Sequence, residues 1–132
     1  MVIEFPLRGY EGGVNVAKKT EKTKEQRIES EKRRLGKIFK GLDENKLKVV
    51  TPLIQRAAFI TVSLEELEEQ LNETGWTEEY QNGREQSGMK KSAAADVHIS
   101  LTKNLNAIVK QLLEIVPPAQ RKSALGKLMN DE

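Results

Sequence analysis

ENKLKVVTPLIQRAAFITVSLEELEEQLN, residues 44–72, is the stretch on which the fold turns. Apolar positions recur in it every three or four residues, at Leu47, Val50, Ile54, Ala57, Ile60 or Thr61, Leu64, Leu67 and Leu71. That spacing is the period of an α-helix with one buried stripe. Asp43 stands just before it, where a carboxylate accepts from an exposed first-turn N–H, and Gly75 stands where a left-handed residue ends a helix. Pro52 predicts a bend, or a false start near Thr51. At 1.5 Å per residue the stretch spans about 40 Å, more than a small monomer needs to cover its own core.

Toward the N-terminus the composition changes. From Lys18 to Leu42 the chain is rich in Lys, Arg, Glu and Gln, all good helix formers, with Ile28, Leu35, Ile38, Phe39 and Leu42 forming a narrow apolar stripe. Gly41 closes that helix. Its first half, Lys18 to Arg27, has essentially no apolar face, which predicts that it orders only against a partner. Residues 1–17, with Pro6, Gly9, Gly12 and Gly13, show no period and read as an irregular lead-in.

Toward the C-terminus, Asn82-Gly83 lies between two short polar and aromatic segments and predicts a two-stranded ribbon near residues 76–90 with a type I′ turn. A lone ribbon is marginal in water, so it is expected to lean on the helices through Trp76, Tyr80 or Met89. Ser92 caps a third helix, with Val97, Leu101, Leu105, Ile108, Leu112 and Ile115 at helical spacing. Val116-Pro117-Pro118 stops it. A short helix from about Ala119 to Leu128 presents Leu125 and Leu128 on one side. The expected organisation is a lead-in (1–17), a basic arm (18–42) and a helical body (43–132). The fold class is mainly α, with long antiparallel helices, a small β-hairpin and a capacity to form oligomers.

Composition narrows the function classes. The 132 residues carry 22 Lys and Arg against 20 Asp and Glu, a near balance that hides a division at Leu42. Residues 1–42 hold eleven cations against six Glu, for +5, and residues 43–132 hold eleven against fourteen acids, for −3. A basic arm on a mildly acidic body follows. The chain has no cysteine, which removes disulfides, thiolate zinc sites and thiol nucleophiles. No stretch approaches the roughly 18 apolar residues of a membrane span, and the N-terminus lacks an apolar signal core, so a cytoplasmic protein is expected. Asn72-Glu-Thr is a chance glycosylation triplet on that reading.

No catalytic constellation is legible. The single histidine, His98, reads as a helix-surface or interface residue, because the nearest carboxylate in sequence, Asp96, lies on another face of the helix. Gly12-Gly13 lacks the Lys-Ser/Thr of a phosphate loop. Glu65, Glu66, Glu68 and Glu69 read as a solvated helix face rather than a metal site. No metal, no cofactor and no enzymatic activity are expected. The strongest chemical signal is cationic: Lys18, Lys19, Lys22, Lys24, Arg27, Arg33, Arg34 and Lys37, with Lys32 and Lys40, fall along one helix, where they can neutralise phosphates. Glu21, Glu25, Glu29 and Glu31 interleave with them, so a solvated amphipathic helix is the competing reading.

The order of these features has a counterpart. Leu47-Lys-Val-Val-Thr-Pro-Leu-Ile opens the long helix, Ala57-Ala58 and Leu64-Glu-Glu-Leu67 follow, Gly75 stops it, and then come Tyr80-Gln-Asn-Gly83, Ser-Ala-Ala-Ala at 92–95, and a terminal proline with Arg121. In that order and spacing, over a little more than half its length, the chain resembles the small terminase subunits of tailed phages, of the short helical type with a central hairpin. The resemblance implies a non-enzymatic DNA-packaging component that assembles into a homo-oligomeric ring, binds double-stranded DNA and delivers it to a large subunit carrying the ATPase and nuclease. On this expectation the body oligomerises, with Leu64, Leu67, Leu71, Leu101, Leu105, Ile108 and Leu112 at its interface or core, and the basic helix contacts phosphates. A helical adaptor that binds a protein and no DNA is the alternative. A helix-turn-helix regulator ranks below both, because the helices read as too long.

Overall fold

The computed structural model describes residues 21–130. The lead-in, Lys18 and Lys19 lie outside the described residues. Four helices and one antiparallel hairpin follow in the order α1 (Lys24–Ile38), α2 (Glu44–Thr74), β1 (Thr77–Gln81), β2 (Ser87–Lys91), α3 (Ala93–Ile115), a 3-10 turn at Pro118–Gln120, and α4 (Arg121–Asn130). The fold is mainly α with long antiparallel helices, as the helical periods predict.

Local chemistry sets the helix starts. Thr23 and Gln26 form a reciprocal capping box, so α1 starts at Lys24, well inside the arm that the sequence places from Lys18. Asp43 accepts from the Lys46 N–H at 2.9 Å and starts α2, and Ser92 accepts from the Ala95 N–H at 3.1 Å and starts α3. Gly75 ends α2 with φ +89° and ψ 160°, a backbone region that belongs to glycine, and its N–H donates to the Leu71 carbonyl at 2.8 Å. Helix α2 runs unbroken through Pro52, so no false start occurs at Thr51. The missing Pro52 N–H leaves the Lys48 carbonyl without its helical donor on an exposed turn, where water can supply one.

Packing makes α2 the central helix. Its N-terminal half meets the C-terminal halves of both α1 and α3, and one core of Leu35, Phe39, Val50, Ile54, Ala57, Ala58, Leu112, Val116 and Ala124 joins all four helices at that end. Helix α1 lies against one side of α2 and α3 against another. The buried arc is therefore wider than the single stripe expected: Ala58 and Val62 are buried on the flank toward α1, while Leu47 at the N-terminus is 36% exposed. By length and composition alone α2 also reaches what a membrane-crossing helix needs, against the expectation that no stretch does. Within this fold its apolar arc is bundle core.

Two further expectations are corrected. Gln81 pairs with Ser87 and not with Arg84, so Asn82-Gly83 opens a five-residue loop in place of a two-residue turn. Gly83 still takes positive φ, +84°, and its carbonyl accepts from Gln81 Nε2 at 2.9 Å. The register is compatible with Tyr80 lying opposite Gly88: a Cβ there would stand 3.2 Å from the Tyr80 ring. The ribbon leans on the helices only at its base, through Trp76, whose ring meets His98 edge-on at 5.2 Å; Tyr80 and Met89 stay exposed. In α4, Ala124 is the buried residue, with Leu128 half-buried and Leu125 exposed.

Candidate nucleic-acid interface

The cations expected to contact phosphate divide into two groups. Lys24 Nζ lies 3.0 Å from Glu66 and 4.9 Å from the centre of the Phe59 ring, and Arg27 pairs with Glu65. Both contacts cross from α1 to α2. The first turns of α1 are thus held by the body of the protein, which corrects the expectation that they order only against a partner: ion pairs and the half-buried Ile28 supply what an apolar face would have supplied. Each pair is a third or more exposed at one partner, so its contribution is modest, about 0.2–1 kcal/mol.

Arg34 is the most engaged. Its Nε and Nη2 donate to the two carboxylate oxygens of Glu31 at 2.9 and 2.7 Å, and its Nη1 donates to the Lys127 carbonyl at 3.3 Å near the end of α4. A guanidinium so placed complements the negative helix end and ties α4 to α1. Arg121 does the same for α3, donating to the carbonyls of Val116 at 3.0 Å and Glu114 at 3.2 Å. Lys32 pairs with Glu29 within α1.

The second group faces solvent. Among the described residues, Lys22 Nζ and Arg33 Nη2 each reach only the Ser30 hydroxyl, at 3.1 and 3.3 Å. Lys37 is exposed and has no ion pair among the described residues, as have its neighbours at the bundle base, Lys40, Lys46, Lys48 and Lys122. Charge is therefore polarised along the bundle. The end built from the α1–α2 turn and α4 is cationic, whereas the C-terminal half of α2 holds Glu65, Glu66, Glu68, Glu69 and Glu73 with no Lys or Arg. Sequence reading placed the basic signal along α1 alone and missed its extension onto α2 and α4, because no local period links residues so far apart in the chain.

The acidic run is largely solvated, as expected, but it is not without partners. Three of its four carboxylates have partners: Glu65, Glu66, and Glu68, whose Oε2 lies 2.9 Å from His98 Nε2. His98 is thus an interface histidine, as read, but with a partner thirty residues away that helix-face reasoning could not supply. No group of three His, Asp or Glu able to hold a metal occurs among the described residues. Of the apolar residues expected at the interface or core, Leu64, Leu71 and Leu112 are buried within one chain, and Leu67, Leu101, Leu105 and Ile108 are half-buried. Compared with the models of known protein families, with curated proteins and with solved structures, the chain matches none.

Proposed function

We propose that the chain is a non-enzymatic, self-assembling DNA-binding protein, and in its finer form a packaging component of the small-terminase kind that presents viral DNA to a large ATPase and nuclease subunit. The observation that carries the DNA-binding part is the cationic base of the bundle, where Lys37, Lys40, Lys46 and Lys48 stand exposed without carboxylate partners among the described residues, with Arg33 exposed one turn before Lys37 on α1. Such a surface suits phosphate contacts without base reading. Repetition around an assembly would let weak sites act together. The packaging role rests on the order and spacing of sequence features described above.

Fluorescence anisotropy with a labelled duplex over a salt series tests the reading. Arg33→Ala with Lys37→Ala should weaken binding and reduce the slope of log K against log salt by about 2, close to 0.9 per phosphate contact. Lys24→Ala with Arg27→Ala should change that slope little, because those cations face Glu66 and Glu65. Unchanged binding in the first pair removes the proposed surface.

The adaptor alternative has one observation in its favour. Val49 and Phe59 on α2 are 56% and 50% exposed, apolar surface of the kind that an amphipathic partner helix covers. A monomeric solution mass, with no DNA affinity at moderate salt, would select it.

A further inference from the structure

The hairpin has little packed surface, and the proposed DNA contacts leave it without a role. Its ladder is closed at the base by the Ser92 N–H donating to the Trp76 carbonyl at 3.0 Å, and at the loop by the Asn82 N–H donating to the Gln86 carbonyl at 2.6 Å. Bonded and non-bonded pairs alternate along an antiparallel ladder, so Glu78–Lys90 and Tyr80–Gly88 are the bonded pairs between them. Thr77, Glu79 and Gln81 consequently turn their N–H and C=O groups outward on one edge, and Ser87, Met89 and Lys91 do so on the other. The sheet has two strands, so neither edge meets another strand among the described residues.

Charge is segregated between the strands. β1, TEEYQ, carries two Glu and no cation, and β2, SGMKK, carries two Lys and no acid. Edges are often protected by charge, but protection of this kind is selective. Pairing β1 with β1 of a second copy sets Glu against Glu, and β2 with β2 sets Lys against Lys. Pairing β1 with β2 of a second copy sets Glu against Lys, repeating the cross-strand contact that Glu78 and Lys90 already make at 3.6 Å within the hairpin.

We infer that the hairpin is a heterologous assembly edge, on which β1 of one copy adds antiparallel to β2 of a second copy of this chain. Each added copy leaves a free β1 at one end of the array and a free β2 at the other, so the contact repeats until it closes into a ring or extends as a filament. The inference rests on the self-assembly part of the proposed function and is independent of its DNA-binding part.

The test is a mixing experiment. A charge-exchanged variant carries Glu78→Lys, Glu79→Lys, Lys90→Glu and Lys91→Glu, with Asp96→Asn because Lys91 Nζ lies 2.9 Å from Asp96. Its own strands remain complementary to each other, so it should assemble to the wild-type mass by light scattering. Its strands match those of the wild type in neither direction. Native mass spectrometry of a mixture should therefore show two self-sorted populations, with mixed assemblies at least tenfold below the statistical share. Preferential mixing would mean that like strands pair, random mixing would mean that the edge is unused, and either outcome overturns the inference.

Glu79→Pro gives a second, independent reading. It removes one outward N–H while leaving the internal bonded pairs, and it should reduce the assembled mass with the circular dichroism unchanged. An undiminished mass overturns the inference even if the exchanged variant fails to fold. A wild-type chain that stays monomeric at all concentrations overturns both the edge and the self-assembly reading. A wild-type oligomer that mixes at random overturns the edge alone.

Discussion

The two ends of the helical bundle are stabilised by different means. At the basal end Phe39, Val50 and Leu112 are at most 2% exposed, and two arginines cover the last carbonyls of α3 and α4. At the distal end Leu64, Leu71 and Ala95 are buried too, but that core lies outside the cluster that joins all four helices. Lys24, Arg27 and His98 meet Glu66, Glu65 and Glu68 in half-exposed pairs beside it, and the hairpin beyond is almost wholly solvated. Apolar burial is worth several times a screened ion pair, so the basal end should set the global stability and the distal end should open first. The contrast also separates positions: the basal end carries exposed cations, and the solvated hairpin beyond the distal end keeps its strand edges unpaired.

The comparison can be broken at several strengths. Phe39→Ala should cost the most, about 3–5 kcal/mol in urea denaturation, because it empties a 2% exposed site of the core cluster that joins the four helices. A loss below 1 kcal/mol would mean that the basal core does not hold the bundle. Gly75→Ala should cost about 1–3 kcal/mol, since its φ and ψ lie where an L side chain is strained; thermal unfolding followed by circular dichroism reads it. Arg34→Ala should cost about 1–3 kcal/mol and raise hydrogen exchange in α4 more than in α3. Equal rises would deny that Arg34 ties α4 to α1. The smallest effect belongs to the distal pairs: a double-mutant cycle on Arg27 and Glu65 should give a coupling of about 0.2–1 kcal/mol that shrinks at high salt. A coupling above 2 kcal/mol would place the distal end on the same footing as the basal core.

Much of the fold was legible in the sequence, for a local reason. The starts at Asp43 and Ser92, the stop at Gly75 and the helical period through Val50, Ile54 and Ala57 each depend on residues within four positions of one another. Positive φ at Gly83 was legible too, but the loop length was not, because the hairpin register also involves Tyr80 facing Gly88 across the strands. The candidate site was legible only as a composition. Lys24, Arg27 and Arg34 look the same as Lys37 in a list of basic residues, and they differ only in what α2 and α4 place beside them.

By itself, the sequence determined where α2 and α3 start and where α2 stops, that one turn needs glycine, and that charge is divided unevenly between arm and body; α1, read as running from Lys18 to a stop at Gly41, spans Lys24–Ile38. Only the tertiary structure decided the breadth of the buried arc on α2, since Ala58 and Val62 are covered by a second neighbouring helix that no single period announces. It also decided which carboxylate meets which cation and that His98 has Glu68 as its partner. Those contacts depend on the rotation and register of whole helices, which are set by how side-chain ridges pack into grooves along their full length, not by any local run of residues.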